Sequence, residues 1–270
     1  MSRAEADRWA DGPTAARARR DRLLVCYLTV ADPLWDGLAD FVPALVDAGM
    51  DVLELGLPTP STRPRGARVA SSFQRAAGVR PADVWHRLGA LRDQVPATPI
   101  ILLIYPGTVA DIGRDQLIGH CLECGVDGLV ITRPSVPEIA RVAAAGLLAI
   151  PLIQATANPR SARALEKAAG RLTYRALAAT TGDPLEAGSL ARHAARLADE
   201  SSIPFLAGFG IRSSAEIRTL APFADGVVVG SELLRIMSDA DPVARASAAA
   251  GAVRGWKAAT VLGTARAVTH

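Results

Sequence analysis

This chain of 270 residues lacks the features that mark membrane, secreted and nucleic-acid-binding proteins. Half of its residues are hydrophobic, but no apolar run approaches the roughly 18 residues of a membrane-spanning helix, so we expect no membrane span. The net charge is only +3 and is spread along the chain, which argues against nucleic acid as a partner. Residues 1–22 are charged and contain no apolar signal core, so we expect a cytoplasmic protein with an extra N-terminal helix.

Cysteine and histidine are also scarce. The three cysteines cannot all pair, which favours a reduced chain. Cys121 and Cys124 have the spacing of a redox or zinc motif, but they fall in a helical pattern without a second pair, and we interpret them as structural. None of the four histidines follows a predicted strand. We therefore expect no metal site and no bound cofactor.

Eight short apolar runs, rich in β-branched residues, alternate with amphipathic stretches along the whole chain. The predicted strands are Leu23–Val30, Val52–Leu55, Ile100–Ile104, Gly128–Thr132, Ala149–Ile153, Leu172–Leu177, Pro204–Ala207 and Gly226–Val229. The predicted helices include Leu38–Ala48, Ala82–Gln94, Asp115–Cys124, Ser161–Ala169, Leu190–Glu200 and Ala215–Leu220. This alternation predicts parallel strands with helical crossovers, closed as a single (β/α)8 TIM barrel domain over residues 1–270.

Two glycine-containing turns follow the last two predicted strands, within Pro204–Ser214 and Ala224–Leu234. Glycine lets the backbone approach a ligand closely, and the N-terminus of the next helix attracts an anion. In a (β/α)8 barrel these two loops are the usual position of a phosphate site. The turns therefore predict a phosphorylated ligand, although glycines that only tighten the turns are the alternative.

Glu54 lies near the end of an otherwise apolar predicted strand. A buried carboxylate is costly unless it has a purpose or a partner, and catalytic residues of barrels lie at the carboxyl ends of strands. Glu54 is therefore the leading catalytic candidate, with a structural ion pair to an arginine as the alternative. The loop that follows, Pro58–Ser72, is long and rich in Pro, Ser, Thr and Arg, and we expect it to form a lid or lip of the site.

The only three tyrosines, Tyr27, Tyr105 and Tyr174, fall in or just after predicted strands one, three and six. Together with Leu103 and Phe209 they predict an apolar, partly aromatic pocket for a flat ring. Ordinary filling of the barrel interior is the alternative.

Segments in the order VCYLTVADP, LVDAGMDVLELGLP, PIILLIYPGTV, CGVDGLVI, LTYRA, PFLAGFGI and ADGVVVGS carry a resemblance over nearly the whole chain. They resemble the corresponding segments of the tryptophan synthase alpha subunit. The resemblance implies a (β/α)8 barrel that cleaves indole-3-glycerol phosphate to indole and glyceraldehyde 3-phosphate. It also implies a possible partner, a beta-type subunit that uses pyridoxal phosphate.

The resemblance assigns roles by position. Glu54 matches the catalytic glutamate, and Thr181 matches the threonine of a mobile loop. The positions that match phosphate-binding residues are Gly182, Gly210, Gly230 and Ser231, and those that match the residues around the indole ring are Tyr27, Leu103, Tyr105, Tyr174 and Phe209.

The chain departs from the family pattern where a second catalytic acid is expected. The aspartate that the family carries eleven residues beyond the glutamate is replaced by Arg65, which cannot accept a proton. Since a general acid or base contributes about 10² to 10⁴ in rate, we expect the ordinary reaction to be slowed. Arg133 likewise replaces an acidic residue, and Gly107 replaces the loop asparagine.

The two exchanges of acid for base, with Arg63 and Arg68 nearby, suggest that the site faces a second anionic group. Arg65 would then bind that anion or stabilise an oxyanion. Arginines that only solvate a surface lip are the alternative. Three functions stay open: an alpha-type lyase on indole-3-glycerol phosphate or an analogue, a different lyase or isomerase on the same scaffold, and a non-catalytic regulatory partner of a beta-type synthase.

Overall fold

The computed structural model describes residues 8–9, 21–177 and 187–262. Eight parallel strands close into a barrel in which each strand pairs with its neighbours in sequence and β8 pairs with β1. The strands are β1 (Leu23–Thr29), β2 (Val52–Gly56), β3 (Ile100–Ile104), β4 (Gly128–Ile131), β5 (Leu148–Ile153), β6 (Thr173–Ala176), β7 (Phe205–Gly208) and β8 (Gly226–Val229).

Helices pack around the outside of the barrel. Among the described residues they are α1 (Phe41–Asp47), α2 (Ala67–Arg75), α3 (Pro81–Gln94), α4 (Pro106–Ile112), α5 (Arg114–Glu123), α6 (Val136–Ala144), α7 (Pro159–Ala169), α8 (Ala187–Glu200), α9 (Ser214–Leu220), α10 (Ser231–Asp239) and α11 (Arg245–Thr260). None of these helices is long and apolar enough to cross a membrane. The predicted barrel and its eight strands are confirmed, with strand ends that differ by at most one residue.

The prediction of a loop over Pro58–Ser72 is wrong in its second half, where helix α2 begins at Ala67. The helix buries Val69, Ser72 and Phe73, which recur at helical spacing. The remaining connection is therefore shorter than the sequence suggested, and it ends at Gly66, whose φ is +94°.

Alternation along the strands separates two sets of buried side chains. Leu23, Val25 and Tyr27 of β1 belong to the cluster inside the barrel, while Leu24, Cys26 and Leu28 belong to the cluster that packs against helices. Tyr27 pairs in register with Glu54 of β2, so the two lie at the same level of neighbouring strands. Polar interior residues are thus brought to the carboxyl end, where the loops meet.

Most of the predicted N-terminal helix lies outside the described residues, but Arg8 and Trp9 are described and helical. Arg8 Nε donates to Asp127 Oδ1 at 3.0 Å. The Trp9 side chain is only 6% exposed and belongs to the same hydrophobic cluster as the barrel interior. This short segment is therefore tied to the barrel.

A buried ion pair joins β6 to helix α7 on the outer side of the barrel. Arg175 Nη2 lies 2.8 Å from Glu166 Oε1 of α7, and both side chains are almost fully buried. The second carboxylate oxygen of Glu166 accepts from the Ser202 hydroxyl at 2.9 Å. The pair therefore links β6, α7 and the segment that precedes β7.

Candidate active site

Glu54 lies inside the barrel and is only 2% exposed. One carboxyl oxygen, Oε1, is fully buried and has no hydrogen-bond partner in the structure. Burial raises the pKa of Glu54 from its ordinary value of 4.5 to about 8. Glu54 forms no salt bridge with any described residue, so the alternative of a structural ion pair has no support in the described part of the chain. At neutral pH this carboxyl group is mainly protonated.

The three tyrosines surround Glu54. Burial raises the pKa of each phenol above its ordinary value, and the proximity of the Glu54 carboxylate contributes in the same direction. Tyr174 meets Phe209 edge to face, with ring centroids 5.8 Å apart. The Tyr27 hydroxyl bonds to Thr29 Oγ1 at 3.1 Å. The tyrosines are thus partly interior packing and partly the wall of a cavity above Glu54.

We call this space the inner cavity, with a volume of about 40 Å³. Its wall brings together most of the predicted site residues with a few that the sequence did not single out: Tyr27, Glu54, Val69, Leu103, Tyr105, Tyr174, Phe209, Gly210, Ile211, Arg212, Val228, Gly230 and Ser231. Nine of these thirteen residues are among the site residues predicted from the sequence, and the four that are not are Val69, Ile211, Arg212 and Val228.

Both glycine turns open onto the inner cavity. Phe209 and Gly210 have φ values of +73° and +92°, so the chain turns sharply after β7. Gly230 precedes helix α10, and the Ser231 hydroxyl at the start of that helix is buried and has no hydrogen-bond partner. A free hydroxyl beside a helix N-terminus is suited to an anion such as phosphate.

Two glycines leave the space that two tyrosine rings occupy. Gly208 lies within the first glycine turn predicted from the sequence, but neither its contact with a ring nor that of Gly56 was predicted. A Cβ atom at Gly56 would collide with the Tyr27 hydroxyl, and one at Gly208 would collide with the Tyr174 hydroxyl. The signal was present, because each glycine ends a strand, but only the structure shows which ring lies against it. Arg212, directly after the β7 turn, was also missed.

A second space, which we call the outer cavity, adjoins the inner one and has a volume of about 330 Å³. The two share Leu103, Tyr105 and Phe209 as lining residues. The outer cavity is also lined by Arg63, Arg65 and Arg133, together with Ser61, Pro106, Gly107, Thr132, Leu152 and Gln154. Arg68, which the sequence placed with this group, does not line it. Of the described residues that line either cavity, Glu54 alone is acidic.

The segment that carries Arg63 and Arg65 is held against helix α4. Thr62 Oγ1 lies 2.9 Å from Thr108 Oγ1, and the Ser61 amide donates to Asp111 Oδ2 at 2.7 Å. A Cβ atom at Gly107 would overlap the Ser61 carbonyl. The glycine at this position therefore permits the close contact between the two loops.

A family model described as tryptophan synthase alpha chain matches residues 14–260. The chain belongs to the tryptophan synthase alpha chain family. The tryptophan synthase alpha chain of Xylella fastidiosa (strain 9a5c) is 34% identical over 235 residues, which cover 84% of this chain and 88% of the relative. That of Novosphingobium aromaticivorans is 34% identical over 245 residues, covering 87% and 90%.

Solved structures of the tryptophan synthase alpha family agree with the barrel. Subunit alpha from Legionella pneumophila str. Paris has a TM-score of 0.80 at 25% identity and covers 94% of this chain and 98% of its own. A tryptophan synthase structure from Mycobacterium tuberculosis has a TM-score of 0.79 at 22% identity, covering 97% and 100%, which shows the shared fold alone. The family resemblance inferred from the sequence is therefore confirmed.

Two residues predicted from that resemblance, Thr181 and Gly182, lie outside the described residues. The structure brings the other predicted phosphate and ring positions to one cavity and places Arg65 in the adjoining one. Since Glu54 is the only described acid in the two linings, no described side chain there supplies the second acid that the sequence resemblance led us to look for.

Proposed function

We propose that this member of the tryptophan synthase alpha family is a carbon–carbon lyase that cleaves indole-3-glycerol phosphate, or a related phosphorylated aromatic compound, by a retro-aldol reaction. The observation that carries the proposal is Glu54, a buried and unpaired carboxyl group on the wall that also contains the tyrosines and both glycine turns. The Gly210 and Gly230 turns would bind the phosphate, with the Ser231 hydroxyl as an additional donor.

Glu54 suits the proton transfers of this reaction. With a pKa raised to about 8, it is a donor at neutral pH that can later take a proton back. Protonation of ring carbon C3 makes the ring an electron sink. The bond from C3 to the side chain then breaks, its electron pair returns to the ring, and the side-chain hydroxyl loses a proton as it becomes the aldehyde. The protons lost and gained balance, so no cofactor is required.

Arg65 should alter the rate of this reaction. In the family, the aspartate at its position accepts the proton of the indole N–H, and a guanidinium cannot do so. We therefore propose that release of indole is slower than in relatives that carry the aspartate, by about 10² to 10⁴. Glu54 would then supply most of the remaining acid–base catalysis.

The test measures indole release from indole-3-glycerol phosphate by the wild-type chain and three variants. Glu54→Gln should lower the rate by about 10² or more, because the amide cannot transfer the proton. Arg65→Asp should raise it. The matched control is Arg68→Asp, which makes the same change of charge at an exposed position outside both cavities. A rate that is unchanged by Glu54→Gln contradicts the role of Glu54, and equal rates for the wild type and Arg65→Asp contradict the role of Arg65.

The missing acid also favours a second candidate, a regulatory partner of a beta-type synthase that uses pyridoxal phosphate. In that case the chain alone would turn over no substrate, and it would co-purify with the beta-type subunit and raise that subunit's activity. Loss of this activation in Arg65→Asp, with no indole released by either form, would favour the regulatory function over the lyase.

A further inference from the structure

We propose that the outer cavity is a carboxylate subsite, which binds a carboxylate carried by the aromatic end of the substrate. The inference rests on the proposed function for the ring and phosphate positions, and it extends that function by naming a second charged group. The substrate would then be anionic at both ends, with the ring between them.

The outer cavity is lined by three arginines and by no acidic residue; outside this lining, the Asp111 carboxylate interacts with the charge of Arg63. Arg65 and Arg133 are exposed and form no ion pair with any described residue. Arg63 donates only to backbone carbonyls, those of Pro60 and Thr62. A planar guanidinium binds carboxylate through two parallel N–H groups, which makes arginine the residue suited to this anion.

An arginine beside the outer cavity does have an acidic partner. Arg114 lies 3.1 Å from Glu138, and both line an adjacent pocket that Thr132 and Arg133 also line. The outer cavity itself receives no such carboxylate from a described residue. Asp111 partly balances the charge of Arg63, but no described carboxylate forms an ion pair with Arg65 or Arg133, and an anionic ligand would supply that partner.

An unused hydroxyl points to the same conclusion. Thr132 lines the outer cavity, and its Oγ1 atom is buried and has no hydrogen-bond partner. A buried hydroxyl without a partner costs free energy, and a ligand acceptor would remove that cost. The Gln154 side chain lines the same wall and carries a further N–H donor. Neutral donors beside guanidinium groups are typical of a site that recognises a carboxylate.

Arg63 and Arg65 lie on a segment whose first residues are held in place. The contacts of Ser61 with Asp111 and of Thr62 with Thr108 hold the two residues that precede Arg63 against helix α4. A fixed segment loses less conformational entropy when it binds a ligand than a free loop does. Since the segment leads directly to Arg65, the subsite is partly organised before the ligand arrives.

One molecule can reach both cavities. Leu103, Tyr105 and Phe209 line the inner and the outer cavity, so a ring seated against them adjoins the glycine turns on one side and the arginines on the other. The outer cavity is the larger of the two, at about 330 Å³, and has room for a carboxylate with bound water.

Two probes test the subsite: phenylpropyl phosphate and its ring-carboxylated analogue, carboxyphenylpropyl phosphate. Their dissociation constants are measured by calorimetry for the wild type, Arg65→Ala, Arg133→Ala and the control Arg68→Ala. We expect the wild type to bind the carboxylated probe at least about tenfold more tightly. Arg65→Ala and Arg133→Ala should each remove most of this preference and leave the affinity for phenylpropyl phosphate unchanged, while Arg68→Ala should change neither.

The outcomes separate the two proposals. If both probes bind the wild type equally, or if Arg68→Ala weakens the preference as much as Arg65→Ala, the arginines act only as exposed surface charge and the subsite is refuted. If neither probe binds, the ring and phosphate pocket is refuted, and the proposed function and the subsite fail together. Binding of phenylpropyl phosphate by each variant also shows that the variant is folded.

Discussion

Replacing Glu54 with glutamine should make the protein more stable at alkaline pH, although it removes the principal acid of the site. The native state holds the pKa of Glu54 at about 8 because the carboxyl group is buried and Oε1 has no partner. In the unfolded chain the pKa returns to about 4.5. Glutamine has nearly the same shape and cannot ionise, so the difference between the two proteins isolates this one titration.

The sign of the effect follows from proton binding. Since the folded state keeps the proton to a higher pH, the stability that Glu54 contributes is fully present below pH 4.5 and is lost as pH rises to about 8. Each pKa unit is worth about 1.36 kcal/mol, so the free energy of unfolding of the wild type should fall by roughly 4 kcal/mol relative to Glu54→Gln between pH 5 and pH 9. Other titrating groups cancel in the comparison.

Urea denaturation of both proteins at several pH values measures this difference. The two curves of unfolding free energy against pH should diverge above pH 5 and become parallel again above pH 8 to 9. Curves that stay parallel throughout would show that Glu54 has an ordinary pKa, and the argument for a protonated carboxyl group would fail. A variant that is more stable but less active is the expected mark of a residue kept for function rather than for stability.

Two further predictions concern packing. Glu166→Ala should lower the free energy of unfolding by about 3 to 5 kcal/mol, because Arg175 is left buried without its partner. The double variant Glu166→Leu with Arg175→Met should lose much less, because it leaves no buried charge. Equal losses for the two variants in urea denaturation would show that the two charges are not coupled. Gly208→Ala should cost about 1 to 3 kcal/mol and weaken binding of phenylpropyl phosphate, because the added methyl displaces Tyr174. Gly89→Ala, in a helix with open space around it, is the control and should stabilise the protein slightly; a similar response at both glycines would contradict the proposed contact.

The strands and the position of Glu54 could be predicted because both depend on local pattern. Runs such as Ile100–Ile104 are apolar throughout, and a single carboxyl group in such a run is conspicuous. Helix α2 was misassigned because Pro, Ser and Arg around it are typical of loops. Its helical form depends on the burial of Val69 and Phe73, which sequence alone weighs poorly.

The division of the site into two cavities could not be predicted from the sequence. Arg65 and Arg133 are 68 positions apart in the chain, and whether they line one space depends on how the loops after β2 and β4 fold over the barrel. The same holds for Arg68, which the sequence grouped with Arg65 only because it lies nearby. Its place on helix α2 directs it elsewhere.

The close contact between Gly107 and Ser61 restricts which substitutions the rim of the outer cavity can accept. With any larger residue there, the backbone at Ser61 would have to withdraw, and the cations beyond it would move as well. An aspartate placed at position 65 makes no such demand on the backbone, whereas a side chain placed at position 107 does. The steric constraint on this rim therefore acts at position 107 and not at position 65.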